Sequence, residues 1–249
     1  MRGVPPAGEG VKAVQFKDVL EQGTLLKRYK RFLADVRLDT GDMITAAVPN
    51  TGAMLGLTAP GSPVWLSRSA SPTRKYPHTW EIVEVEGLGL IGINTANPNR
   101  ITAEAISAGL VPELSGYGNL RQEVKYGRNS RIDILLESGA RPNCYVEVKN
   151  AHLFRKPGQV EFPDCVTERG TKHLAELSDM VREGHRAAMV YLVQAAFPSH
   201  LSLAADLDPN YVKAFNAARK AGVEAFALCC NVSTLAISAR RMIPVQDPE

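Results

Sequence analysis

Short apolar runs alternate with turn-forming residues through the first hundred positions of the chain. The turns are signalled by runs such as Thr40-Gly41-Asp42 and Pro49-Asn50-Thr51-Gly52. No long amphipathic helix interrupts this pattern, which therefore predicts a small β-barrel or sandwich. The candidate strands lie at 14–20, 24–29, 32–38, 44–48, 64–67, 79–85 and 90–94.

The pattern changes near Asn99-Arg100, where helical spacing begins to alternate with apolar strands. Thr102 is predicted to cap a helix that runs to Gly109, and Asp208-Pro209 to open another that ends at Gly222. A third helix is predicted from Leu174, Leu177 and Val181, which recur at helical spacing. The predicted strands are 120–126, 132–136, 144–148, 187–193 and, as the last one, 223–229.

The element order from residue 100 is α-β-β-β-α-β-α-β, which predicts an α/β or α+β domain with a mixed sheet. We place the domain boundary at Asn97-Pro98-Asn99, so that residues 1–97 form the barrel and residues 98–249 the second domain. The chain is thus predicted to have two domains, although they can still pack closely together.

The composition is that of an ordinary folded chain, with 249 residues, 45% hydrophobic and 22% charged. A net charge of +3 (29 basic minus 26 acidic residues) is too small to indicate a nucleic-acid partner by itself. The four cysteines show no metal-ligand spacing, and Cys229 and Cys230 are adjacent. This pattern argues against a disulfide framework and favours a reducing cytoplasm. No stretch approaches the roughly 18 apolar residues of a membrane span, and the first residues do not resemble a signal peptide.

Three charged residues interrupt otherwise apolar strands and carry the candidate chemistry. Asp133 lies in one strand, and Glu147 and Lys149 in the next, joined by a predicted hairpin connection. Antiparallel pairing brings Asp133 close to Glu147, while alternation places Glu147 and Lys149 on one face. Two carboxylates and a backbone carbonyl suit Mg²⁺ or Mn²⁺. Lys149 can position or deprotonate a water and offset charge on phosphorus.

The simpler alternative is that Glu147 and Lys149 are exposed strand residues on a solvated face. A Glu-x-Lys triplet is short and common, so its spacing alone favours this alternative. Its apolar surroundings favour the catalytic interpretation, because active-site groups often interrupt a buried sheet in this way.

Several long runs of the sequence form a recognisable set. The runs are LKRYKRFLADV (26–36), PNTGAM (49–54), RKYPHTWE (74–81), EVKYG (123–127), SRID (130–133), VEVKN (146–150) and FPDCVTERGTKHL (162–174). Together they resemble one family, the sugar fermentation stimulation protein A (SfsA) family of bacteria and archaea. The resemblance extends from about residue 14 to residue 230, with the motifs in the expected order.

The resemblance implies an N-terminal OB-fold-like barrel and a C-terminal domain of the PD-(D/E)XK nuclease fold, a mixed sheet flanked by helices. It also implies DNA binding and a role, historically proposed, in regulating sugar (maltose) metabolism genes. Asp133, Glu147 and Lys149 match the Asp…Glu-x-Lys motif of that nuclease superfamily. Glu104 corresponds to an extra acidic ligand on the first helix of many such nucleases.

Basic residues give candidate nucleic-acid contacts in three segments. Lys27, Arg28, Tyr29, Lys30 and Arg31 place four cations around one aromatic, with Arg28 and Lys30 predicted on one face of a strand. Such a strand suits single-stranded nucleic acid on an OB barrel. Protection of an edge strand from aggregation explains the same charges equally well.

The other two basic segments lie next to the candidate site. Lys125, Arg128 and Arg131 lead directly into Asp133 and can steer phosphate toward the metal. Arg169 and Lys172 lie beside Thr167 at a predicted loop-to-helix junction, where free backbone N–H groups attract anions.

Two functions are therefore predicted, both with single- or double-stranded DNA as the partner. The first is a Mg²⁺- or Mn²⁺-dependent nuclease. The alternative is a non-catalytic DNA-binding regulator that retains the nuclease fold. An RNA or nucleotide phosphodiesterase would use the same residues and stays open. The sequence does not determine the oligomeric state.

Overall fold

The computed structural model describes residues 13–127 and 130–246, so the predicted contact Arg128 lies outside the described residues. The helices are α1 (Pro98–Ser107), α2 (Glu168–Arg182) and α3 (Pro209–Ala221). The strands are β1 (Val14–Gln15), β2 (Glu21–Tyr29), β3 (Leu33–Leu38), β4 (Met43–Ala47), β5 (Pro63–Arg68), β6 (His78–Val85), β7 (Gly89–Gly92), β8 (Asn119–Tyr126), β9 (Ser130–Glu137), β10 (Cys144–Asn150), β11 (Gln159–Phe162), β12 (Arg186–Val193), β13 (His200–Leu203), β14 (Glu224–Val232) and β15 (Ala236–Ile243).

Strands β2 to β6 form a closed barrel. Their order is β4-β3-β2-β5-β6, and a parallel pairing of β4 with β6 at Ala47 and Thr79 closes the ring. Apolar side chains such as Leu25, Val36 and Trp80 fill its interior and are fully buried. The predicted OB-type barrel is therefore confirmed.

The C-terminal part is built on a seven-stranded sheet in the order β1-β15-β14-β12-β10-β9-β8. Strands β10, β12 and β14 are parallel and the outer strands antiparallel. Val190 and Leu192 of β12 pack in the cluster that contains α1, and Met189 and Tyr191 in the cluster that contains α2 and α3. The predicted mixed sheet with flanking helices is confirmed. None of the helices in the described part of the chain is long and apolar enough to cross a membrane.

The strand predictions need three corrections. Of residues 14–20 only Val14–Gln15 form a strand, and β1 pairs with β15 in the C-terminal sheet. No strand was predicted after residues 223–229, so β15 was missed. The short parallel pair of β11 and β13 was also missed. The three errors have one physical reason. Strands of two to four residues, and strands with exposed arginines, show little alternation of apolar and polar residues.

Helix α1 begins at Pro98 with Asn97 as its N-cap, so the predicted cap at Thr102 is wrong. Proline suits the first helical position because the N–H that it lacks would have no partner there. Thr102 is buried inside the helix instead. The earlier start places Asn99 in the first turn, where its side chain reaches the candidate site.

Helix α3 ends at Gly222 as predicted, in a left-handed conformation with φ of 104°. A Cβ atom on Gly222 would lie 3.2 Å from Val181 Cγ1 of α2. We expect Gly222→Ala to lower the free energy of unfolding by about 1 kcal/mol, through backbone strain and this contact. Urea titration measures the change, with Gly139→Ala as control because open space surrounds that position. Equal stability of the two variants would contradict the prediction.

Candidate active site

The predicted hairpin of β9 and β10 is present and opens at the candidate site. Val146 pairs with Ile134, but the regular ladder does not continue to Glu147 and Asp133. The Val148 N–H instead donates to Asp133 Oδ2 at 2.8 Å. Both carboxylates thus lie where the two strands separate, at one end of the sheet.

Asp133 is held between the sheet and helix α1. Asn99 Nδ2 donates to its Oδ1 at 2.8 Å, opposite the bond from Val148. Burial and the negative charge of Glu147 raise the pKa of Asp133 to about 6. A carboxyl group with this pKa is mostly ionised at neutral pH, and a cation beside it would lower the pKa further.

Glu147 is almost completely buried, at 2% exposure. Its Oε1 accepts from Lys149 Nζ at 2.6 Å and is also bonded to His173 Nδ1 on α2. Burial alone raises the pKa of Glu147, but these two partners outweigh it and lower the pKa below its ordinary value. Oε2 is buried without a hydrogen-bond partner in the described part of the chain. A charged oxygen in this state is costly unless something else contacts it.

His173 connects Glu147 to the predicted phosphate contact Arg169. Arg169 Nε donates to His173 Nε2 at 3.3 Å, so the ring carries its proton on Nδ1 and donates that proton to Glu147. Arg169 therefore helps to orient the carboxylate and also lines the cavity above it. Thr167 caps α2 by accepting from the Gly170 N–H at 3.1 Å, which confirms the predicted helix start.

A cavity of about 460 Å³ lies over the two carboxylates, between the barrel and the C-terminal sheet. Glu104 does not line this cavity; on α1, Pro98 and Asn99 do. Glu123 lines it from β8 with φ of 54°, an uncommon conformation for a residue with a side chain. The lining residues are Asn50, Thr51, Gly52, Thr95, Pro98, Asn99, Glu123, Asp133, Glu147, Val148, Lys149, Asn150, His152, Thr167, Arg169 and Gly170.

The loop at Asn50–Ala53 forms the barrel's wall of this cavity, and Arg28 supports it. Arg28 Nη2 donates to the carbonyls of Asn50 and Gly52 at 2.8 and 2.9 Å, and Nη1 to that of Ala53 at 3.2 Å. Arg28 is therefore engaged in holding the loop, and its contact with nucleic acid stays a prediction.

Asp164 ties the same loop to the C-terminal domain. Its Oδ2 accepts from the Met54 N–H at 2.8 Å and from His152 Nε2 at 3.1 Å. A Cβ on Gly52 would lie 2.8 Å from that oxygen, so only glycine fits there. The wall is thus fixed on both sides.

The segment 27–31 is not a continuous strand as predicted, because β2 ends at Tyr29. Lys30 and Arg31 lie in the turn to β3, with φ of 50° and 65°. Lys27 pairs with Asp35 at 3.4 Å, and the Tyr29 hydroxyl also donates to Asp35. The predicted alternation of faces therefore fails for Lys30 and Arg31.

The remaining basic residues are exposed on the C-terminal domain. Lys125 and Arg131 are direct cross-strand partners of β8 and β9. Lys172 pairs with Glu176 at 3.6 Å on the surface of α2. Their contacts with nucleic acid stay predictions.

Comparison with known proteins identifies the family. A model described as the sugar fermentation stimulation protein RE domain matches residues 96–236, and one described as the SfsA N-terminal OB domain matches residues 26–93. The chain belongs to the SfsA family. Sugar fermentation stimulation protein homologs of Brucella ovis and Brucella canis are each 56% identical over 232 residues, 93% of this chain and 97% of theirs. A solved structure of Pyrococcus furiosus SfsA in complex with Ca²⁺ is 26% identical with a TM-score of 0.84, covering 96% of this chain and all of its own.

Sequence reasoning missed several residues of this SfsA-family cavity. Asn99 and Glu123 lie far from the Asp…Glu-x-Lys motif along the chain, and only the packing of α1 and the distortion of β8 bring them in. His173 was given no role, although its place one turn after Arg169 on a predicted helix was a usable signal. His152 and Asp164 lie in two loops, before and after β11, whose course no pattern predicts.

Proposed function

We propose that this protein is a divalent-metal-dependent nuclease acting on DNA. One observation carries the proposal: the buried, unpartnered Oε2 of Glu147 beside Asp133, on a cavity that both domains line. A carboxylate oxygen without a donor needs a cation or water. The surrounding cations, Lys149 and Arg169, suit an anionic substrate such as phosphate.

The donor set fits a small hard cation. In residues 13–127 and 130–246, no group of three or more His, Cys, Asp or Glu side chains is arranged to hold a metal. Mg²⁺ and Mn²⁺ commonly use only one or two carboxylates and fill the remaining positions with water, carbonyl and phosphate oxygens. Asp133 and Glu147 would hold the ion; Glu104 lies outside the cavity lining, which weakens its proposed part. The Ca²⁺ in the Pyrococcus relative is consistent with oxygen ligands in this family.

The chain's own groups divide the remaining work. When bound, the metal supplies a Lewis acid for a phosphate oxygen and a more acidic water. Lys149 would orient the attacking water and offset charge on phosphorus. Arg169, in the first turn of α2, would receive the phosphate through its guanidinium, because the N–H groups of Thr167 and Gly170 already donate to Asp208 and to the Thr167 hydroxyl.

Incubation with DNA and Mg²⁺ or Mn²⁺ tests the proposal. We expect cleavage by the wild type that EDTA abolishes. Glu147→Gln should reduce cleavage to background, because the amide loses the negative charge and brings its own protons to the site. Product formed equally by wild type and Glu147→Gln would count as contamination and overturn the proposal.

Binding without cleavage is the second candidate, and one observation favours it. Lys125 and Arg131 are like charges directly opposite each other, an arrangement that is destabilising unless an anion lies between them. This candidate predicts DNA binding that weakens with salt and no product with either metal.

A further inference from the structure

The turn between β2 and β3 exposes an aromatic side chain that the cavity site does not use. Phe32 is 51% exposed and follows Lys30 and Arg31 in this turn. Most phenylalanines in folded domains are largely buried, so an exposed one between charged residues needs an explanation.

The turn is rigid and held in an unfavourable conformation. Lys30 and Arg31 both have positive φ, an unfavourable conformation for residues with a side chain. Two contacts fix the geometry: Arg28 Nη2 donates to the Arg31 carbonyl at 2.7 Å, and the Val48 N–H donates to the Phe32 carbonyl at 2.8 Å. Strain that the surroundings enforce in this way is typical of sites that present a side chain.

The same guanidinium places the turn next to the cavity. Arg28 contacts the Arg31 carbonyl and also the carbonyls of Asn50 and Gly52, two residues that line the cavity. One planar group thus joins the turn to the cavity wall. A strand that lay in the cavity would pass this turn on leaving it toward the barrel.

The turn also carries positive charge without compensation. The side chains of Lys30 and Arg31 form no ion pair or hydrogen bond within the described residues. Burial and the nearby charge of Arg31 lower the pKa of Arg28, as expected where two guanidinium groups lie close together. An anionic partner would relieve this repulsion.

Two further apolar side chains are exposed near the contact between the barrel and the C-terminal domain. Leu55 and Val166 are 45% and 65% exposed. Along the chain they lie one residue from Met54 and two from Asp164, whose contact joins the two domains.

We propose that Phe32, flanked by Lys30 and Arg31, is a base-stacking platform for a single strand, and that the substrate is nucleic acid with unpaired bases. A paired base inside a duplex keeps its faces against its neighbours, so only an unstacked base can lie on the ring. The cations contact the backbone while the ring accepts any base. This inference rests on the proposed nuclease function for what happens at the cavity, but its binding test does not.

Fluorescence anisotropy with a labelled oligothymidylate, in EDTA, tests the platform on the full chain. We expect Phe32→Ala to weaken binding about tenfold, because the stacked base loses its aromatic partner, and Phe32→Trp to restore it. Met43→Ala is the matched control. Met43 is also exposed on the barrel, but it lies on β4 opposite Arg37, at the end of β3 that is remote from the turn.

Two further ligands separate stacking from charge. An abasic strand of equal length has the phosphates but no bases. A blunt-ended duplex has phosphates and bases, but its base faces are stacked on one another. Phe32→Ala should leave the binding of both ligands unchanged. Equal binding of the oligothymidylate by wild type and Phe32→Ala, or an equal loss with the abasic strand, would overturn the inference.

The outcomes also distinguish the two proposals. Phe32-dependent binding without cleavage in Mg²⁺ or Mn²⁺ would leave the platform standing and remove the nuclease function. Metal-dependent cleavage, combined with binding that Phe32→Ala leaves unchanged, would support the nuclease function and overturn the platform.

Discussion

Replacement of Lys149 by methionine is expected to reduce metal-dependent cleavage by about a thousandfold while leaving Mn²⁺ affinity unchanged or higher. Lys149 Nζ lies 2.6 Å from Glu147 Oε1 and lines the cavity, so it is placed to act on a water or on the phosphate. It is not a metal ligand, and its positive charge opposes a cation nearby. Methionine is unbranched and only one atom shorter than lysine, so it keeps most of the side chain and removes the ammonium group with its bond to Glu147.

Single-turnover cleavage and Mn²⁺ titration calorimetry measure the two effects separately. Lys220→Met is the matched control, because Lys220 is exposed in the last turn of α3 and does not line the cavity. Its cleavage rate should change by no more than a few-fold. A Lys149→Met protein that cleaves as fast as the control would remove Lys149 from the proposed chemistry.

The sequence predicted the sheet that carries the site better than it predicted the edges of that sheet. Strands β9, β10 and β12 are apolar over most of their length, and burial on both faces leaves a strong signal. Strand β1 has two residues and takes its place only through pairing with β15, more than two hundred positions away. No local pattern contains that information.

The same division holds within the candidate site. Asp133, Glu147 and Lys149 form a motif that two neighbouring strands display, so alternation along the strands was enough to bring them together. His173 and Asn99 reach the carboxylates from helices on opposite faces of the sheet. Their roles depend on how α1 and α2 pack, which a single sequence does not specify.

The basic segment 27–31 has a structural role that its charge pattern does not predict. The contact of Arg28 with nucleic acid stays a prediction, while its guanidinium donates to four backbone carbonyls. Carbonyl groups in an irregular loop need donors, and arginine supplies several from one side chain. The chain reverses between Tyr29 and Phe32, so that the Tyr29 hydroxyl donates to Asp35 while the ring of Phe32 is exposed in the turn.

Replacement of Asp164 by asparagine is expected to lower the free energy of unfolding by about 2 kcal/mol at neutral pH, an effect that disappears in acid. Burial alone raises the pKa of Asp164, but hydrogen bonds from His152 and the Met54 N–H outweigh it and hold the pKa at about 2. Because this value lies below the ordinary one of 3.8, the stabilisation is complete above about pH 4 and is lost as the pH falls toward 2. Asparagine has the same shape but lacks the charge, so the hydrogen bonds that His152 and the Met54 N–H donate to this side chain become weaker.

Urea unfolding of wild type and Asp164→Asn at a series of pH values gives the difference directly. Asp206→Asn is the matched control, because Asp206 also has a lowered pKa but is fully exposed, paired with Arg155 on the surface. Solvent screens such a pair, so the control should change stability little at any pH. If the difference between wild type and Asp164→Asn stays constant from pH 7 into acid, the bonds to Asp164 do not depend on its charge. A stability difference that decreases between about pH 4 and pH 2 would instead support the view that the charged carboxylate holds the barrel's loop over the cavity.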